Sequence, residues 1–235
     1  MLLSQNEIRN IAPESFVYFR PKDIISGDFY WFAKKDDLIF VATADCTGHG
    51  VPGSLMSMLG ISYLEKIIME KGMVNTADIL NELKKQIIFA MNKSEDKDSM
   101  KDGMDMSLYC LDTKNNKLNY SAANNGIYIM RGGEIIKLDP EKQPVGPNPR
   151  EHLPFNQFQF SLMPNDFIIT YSDGFADQFG GVNGKKFKYK QLQQLLIQLQ
   201  GKPTKNIPGL LNGVFEKWKG KLDQVDDVLI IGLKV

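Results

Sequence analysis

Neither sign of charge is in excess in this 235-residue chain: 28 Lys and Arg stand against 28 Asp and Glu. That balance leaves no global field for nucleic acid or for an anionic membrane surface. It also disfavours a two-metal nuclease, whose substrate is densely anionic. Cysteine is nearly absent. Cys46 and Cys110 show no metal-type spacing, so a reduced, cytoplasmic setting is expected. The first residues lack the basic start and long apolar core of a signal peptide, and no later run would span a bilayer. No membrane insertion and no nucleic-acid partner are therefore expected of this domain, and no repeat is visible.

What is present is 43% apolar residues, enough for one sizeable core. Residues 1–15 read as a stub or linker leaving an upstream regulatory region, and 16–235 as a single domain. Phe16 to Lys22 is a short aromatic and β-branched strand stopped by Pro21. Residues 29–34 and 38–44 are two strands joined at Asp36 and Asp37. A two-residue turn there places residue i opposite residue 73 − i, so Asp28 falls opposite Asp45. An apolar helical stripe runs from Val51 to about Lys71 and stops at Gly72; its Met56, Met58 and Met69 are read as core. A second helix spans about Thr76 to Asn92, and the charged stretch 94–103 is a solvated loop. From Met104 the pattern is that of a meander of hairpins separated by Asn- and Gly-rich turns. Phe155, Phe158 and Phe160 read as half-buried, and 180–186 as a surface loop. A central strand ending at Asp173, two helices over about 188–200 and 204–218, and a last strand after Asp226 and Asp227 close the chain. Connections are too short for parallel crossovers, so the expectation is an α+β fold: two antiparallel sheets packed face to face with helices outside.

The chemistry concentrates in acidic residues at strand ends. FVATADCTG and IITYSDGF each place an Asp after a buried strand and before a glycine turn; VDDVLII places two before one. In an antiparallel sheet these ends share an edge, so Asp45, Asp173 and the Asp226/Asp227 pair can converge, with Asp28 joining through the hairpin. Like charges ~4 Å apart repel by roughly 4 kcal/mol near a protein surface. Divalent cations relieve that, and an all-oxygen donor set favours Mg²⁺ or Mn²⁺ over Zn²⁺. Two such ions sharing a carboxylate and activating water suit attack on phosphorus. A lone Asp at a strand end is ordinarily a turn former; four on one edge are harder to explain that way. His49 is a candidate general acid or a structural turn residue. Cys46 is expected to act through its backbone carbonyl, its thiol packing inertly. Asp105 is either an accessory ligand or a loop residue. Arg20 and Lys22 are candidate contacts for an incoming phosphate, or simply a solvated edge. The helix after the Asp45 turn is expected to couple regulation to the site.

With these residues assembled, the chain resembles the metal-dependent type-2C protein serine/threonine phosphatases, and within them the bacterial branch typified by sporulation protein E and RsbU. The matching segments are PKDIISGDFYWF, ADCTGHGVPGSLMSMLG, LNYSAANNGIYIMRGG, QPVGP, TYSDGFADQ and DDVLIIGL. The resemblance implies an αββα sandwich holding two ions at one rim. It implies that Asp45 bridges both ions, that the Cys46 carbonyl binds one, that Asp173 and Asp226 complete the other, that Asp28 holds metal-bound water, and that Asp227 orients Asp226, the favoured ligand of that pair. It implies a phosphoserine or phosphothreonine protein as substrate, often a STAS-type anti-sigma-factor antagonist, with control by an upstream sensor domain or a coiled coil; a homodimer is compatible with it. Leu229 departs from the family's Thr or Ser at that position, which removes a local hydrogen bond. The competing reading is a pseudophosphatase that binds a phosphoprotein without turnover.

Overall fold

The computed structural model of the chain describes residues 2–48, 50–91 and 103–235. The reading of His49 therefore lies outside the described residues, as does nearly all of the charged stretch 94–103. Two five-stranded antiparallel sheets lie face to face. The first has the order β1 (Ser15–Arg20), β12 (Val228–Lys234), β9 (Phe167–Tyr171), β6 (Ile127–Arg131) and β7 (Glu134–Leu138). The second runs β2 (Phe29–Lys35), β3 (Leu38–Cys46), β4 (Met104–Asp112), β5 (Lys117–Ala123) and β8 (Phe158–Ser161). Helices α2 (Gly50–Leu64), continued by a π-helical segment Glu65–Glu70, and α3 (Thr76–Met91) cover the second sheet. Helices α5 (Tyr189–Leu199) and α6 (Ile207–Lys219) cover the first.

Three apolar layers hold this αββα stack together by removing side chains from water. Phe40, Ala42 and Leu108 meet Ile79 and Leu83 of α3. Val41, Tyr109, Ile129, Ile168 and Ile231 interdigitate between the sheets. Phe167, Ile169 and Ile230 meet Leu196, Leu211 and Phe215. Each strand alternates its faces between two of these layers, which is why central strands read as continuous apolar runs.

Several expectations need correction. The segment before Ser15 is not simply a linker: Ser4 caps a short helix α1 (Gln5–Ile11) with a capping box, and Ile8 is buried between the sheets. The expected meander breaks after β5, because β5 pairs with β4 and β8 while β6 pairs with β7 and β9. Asn124, with φ +55°, starts the crossing between sheets, and Asn125 donates its side-chain amide to the Tyr171 carbonyl at 2.6 Å. Residues 179–186 are not a bare loop but a short hairpin, β10 (Phe179–Gly180) with β11 (Lys185–Lys186). Among the three phenylalanines, Phe155 is fully buried and Phe158 exposed.

The buried face of α2 also differs from the expected stripe. Met56 is buried, but Met58 and Met69 are exposed. The face toward the sheet is Gly53, Met56, Ser57, Gly60 and Leu64. Small residues allow close approach: a Cβ on Gly60 would lie 2.7 Å from the Phe29 ring, and one on Gly53 would collide with the Gly48 carbonyl. Bulkier apolar side chains are turned outward as a result.

Candidate metal centre

The β2–β3 hairpin has the register read from its turn: Phe29 pairs with Ala44 and Lys35 with Leu38, with Asp36 at φ +53° in the turn. Asp28 therefore sits one step beyond the ladder beside Asp45. In the neighbouring sheet β9 delivers Ser172 and Asp173 to the same rim, and the start of β12 delivers Asp226 and Asp227. The Asp173 backbone N–H donates to the Asp45 carboxylate. The turn at Gly174 packs directly on the Asp227 carbonyl, with no room for a Cβ, which draws the two acidic turns together.

The acids repel one another. Burial pushes Asp45 up to about 8, helped by Asp173, Asp226 and Asp105. Burial and then Asp226 raise Asp173 to about 6. Asp28 is raised well above the carboxylate range by burial and then by Asp45, and its Oδ2 is buried with no protein partner. The Ser172 hydroxyl offsets part of this by bonding Asp28, and its oxygen accepts the Leu229 N–H at 2.9 Å. Ser172 thus contributes a hydrogen bond beside Leu229, where the family's Thr or Ser is missing.

Asp226 and Asp227 divide cleanly. Asp227 accepts the Lys22 N–H at 2.7 Å with one oxygen and the Gly27 N–H at 2.8 Å with the other, so it holds the loop that carries Asp28. Asp226 accepts the Asp227 N–H at 2.8 Å and acts electrostatically on Asp45, Asp173 and Asp28. The Cys46 carbonyl faces Gly27, where an added Cβ would come within 3.3 Å of it. The Cys46 thiol is buried against Ser57 and raised above its usual range by that burial. Among the described residues, no three Asp, Glu, His or Cys side chains already form a tight cage for one ion. The donor set nevertheless suits Mg²⁺ or Mn²⁺, which bind through one or two carboxylates and keep several waters. A buried, unpartnered carboxylate oxygen beside raised neighbours is the environment such a cation would relieve.

Of the two expected phosphate contacts, Arg20 is engaged away from the acids. The Arg20 guanidinium turns to α6, pairing with Glu216, bonding Asn212 and Gln224, and lying 5.1 Å from the Phe215 ring centroid. Lys22 contributes its backbone N–H to Asp227. Among the described residues, Lys186 of the β10–β11 hairpin is a cation near the acids, 2.6 Å from Asp177 and within the field of Asp173. Asp105 is the main residue that sequence reading undervalued. It lies in β4 directly opposite Asp45, is raised by burial, and is bonded by Asn124 at 2.8 Å. Its signal was the strand pattern beginning at Met104, one residue before it.

The stage II sporulation protein E model matches residues 35–235. The phosphoserine phosphatase RsbU of Bacillus subtilis is 24% identical over 163 residues, 67% of this chain and 44% of that protein, so the chain spans less than half of that relative. Among solved structures, the SiaA PP2C domain of Pseudomonas aeruginosa superposes with TM-score 0.88 at 24% identity, covering 99% of this chain and 91% of that one. The PP2C domain of SpoIIE from Bacillus subtilis gives TM-score 0.77 at 16% identity over 94% of this chain and 63% of that one. RsbX in complex with magnesium gives 0.65 at 15% identity, covering 94% of each. The family model covers most of the chain and the solved structures share its fold: the chain belongs to the stage II sporulation protein E (SpoIIE) family.

Proposed function

We propose that this chain is a divalent-metal-dependent protein phosphatase that hydrolyses phosphoserine or phosphothreonine on a signalling protein of the STAS type. The observation that carries this reading is one rim where Asp45, Asp173 and Asp226 repel one another beside a buried Asp28 oxygen without a partner. Asp45, Asp173, Asp226 and the Cys46 carbonyl would hold two Mg²⁺ or Mn²⁺ ions, with Asp105 adjacent. When bound, the ions supply an activated water and neutralise the phosphate charge. Asp28 would orient that water, its loop held in place by the Gly27 N–H bond to Asp227. Asp227 positions the loop without being a ligand. His49, four residues after Asp45 in the sequence, would serve as donor of the proton to the leaving serine oxygen, a role that water at the site could also fill. Control by an upstream sensor domain and a cytoplasmic location belong to the same reading; among the described residues no helix is long and apolar enough to cross a membrane.

Hydrolysis of an aryl phosphate and of a phosphorylated STAS protein, with Mn²⁺ and with chelator, tests this. Turnover that needs Mn²⁺ and is lost in Asp173→Asn is expected. Binding of the phosphoprotein with no release of phosphate under any metal would replace the enzyme with a pseudophosphatase.

A further inference from the structure

Beside the acidic rim lies a cavity of about 310 Å³ that the proposed hydrolysis does not use. Tyr171 ends β9 two residues before Asp173. Its ring lies 4.7 Å from that of Tyr128 and 5.8 Å from that of Tyr189, so three phenols form one concave wall. The wall is fixed in place, because Asn125 bonds the Tyr171 carbonyl and the Gln193 amide donates to the Tyr128 hydroxyl at 2.9 Å. Asn124 spends its amide donor on Asp105, the residue opposite Asp45, and so ties the cavity to the rim.

The lining is rich in hydrogen-bond acceptors and aromatic faces. Asn124 and Gln193 each commit one amide N–H, to Asp105 and to the Tyr128 hydroxyl, and bring a carbonyl oxygen to the lining. Asp139 stands exposed at the mouth. The carboxylates of Asp139, Asp173, Asp177 and Asp45 act on the Tyr171 and Tyr189 phenols. Lys137 also lines the cavity, its side chain exposed to solvent. An apolar guest would leave these acceptors unpaired. A planar guanidinium stacks on phenol faces and donates to several acceptors at once, which an ammonium does less well.

We propose that this cavity receives an arginine side chain of the phosphoprotein, next to the phosphoserine held at the acidic rim. The inference rests on the phosphoprotein reading above and adds a side-chain specificity to it.

Phosphoserine peptides carrying arginine at successive positions on either side of the phosphoserine, each paired with its citrulline isostere, test this on the whole chain with Mg²⁺. Affinity by fluorescence anisotropy and kcat/KM are both read, with an aryl phosphate measured alongside. At the matching position arginine is favoured about five- to tenfold over citrulline. That ratio falls below about twofold in both Asp139→Asn and Tyr189→Leu. Equal affinity for arginine and citrulline at every position overturns the inference, as does a preference that survives both replacements. Aryl phosphate turnover without an arginine preference sinks this site alone. An arginine preference in affinity without any turnover sinks the phosphatase reading and leaves the site standing.

Discussion

Replacing Asp45 by Asn should make the metal-free protein more stable while removing its response to metal. Asp45 moves from an ordinary 3.8 to about 8 on folding, first through burial and then through Asp173 and Asp226. At pH 7 the folded chain mostly holds a proton that the unfolded chain has released. This costs up to about 4 kcal/mol. Asp45 is partly exposed and shares its repulsion with its neighbours, so about 2 kcal/mol is the expected gain from one replacement. In a chain of this size that raises Tm by about 4–8 °C in chelator. Because the folded pKa is the raised one, the native state loses stability as pH climbs from the unfolded value to the folded one. The advantage of Asp45→Asn is therefore small near pH 4 and largest near pH 8. Mn²⁺ at about a hundred times its dissociation constant should add about 2.7 kcal/mol to the wild type and little to the variant, reversing their order. Thermal unfolding by circular dichroism across pH, with chelator and with Mn²⁺, reads all of this. A variant no more stable than the wild type in chelator, or stabilised equally by Mn²⁺, would refute the reasoning.

Gly53→Ala should weaken metal binding about tenfold without unfolding the domain, because its Cβ meets the Gly48 carbonyl and pushes α2 off the turn after Asp45; Mn²⁺ titration of activity checks it, and unchanged affinity would end the idea that α2 is coupled to the site. Arg20→Gln should lower stability by about 1–3 kcal/mol, since its partners Glu216, Asn212 and Gln224 lie on α6 and the loop before Asp226. KM for an aryl phosphate should stay within about twofold; a KM increase of tenfold with stability unchanged would return Arg20 to phosphate binding.

How much of this was legible depended on whether a residue's partner lay on the same hairpin. The register placing Asp28 beside Asp45 followed from one two-residue turn, since pairing across a hairpin is set by local geometry. Convergence of Asp173 and Asp226 followed from strand ends sharing an edge. Asp105 was undervalued because its neighbour across the ladder, Asp45, is sixty residues away, so the strand pattern starting at Met104 placed it in a strand without showing what it faces. Arg20 stayed open between two roles for a related reason: a charge at a strand end suits a phosphate and a glutamate on α6 equally.

The chain's own pattern determined the strands, most helices and the acidic turns, because side-chain periodicity and turn chemistry act over a few residues. Only the packed structure decided which sheet each hairpin joined, as when Asn124 and Asn125 carry the chain from β5 across to β6. Only packing, too, turned Met58 outward and let glycines bring α2 against the loop of Asp28, because close backbone approach is a property of two surfaces and is written in neither alone.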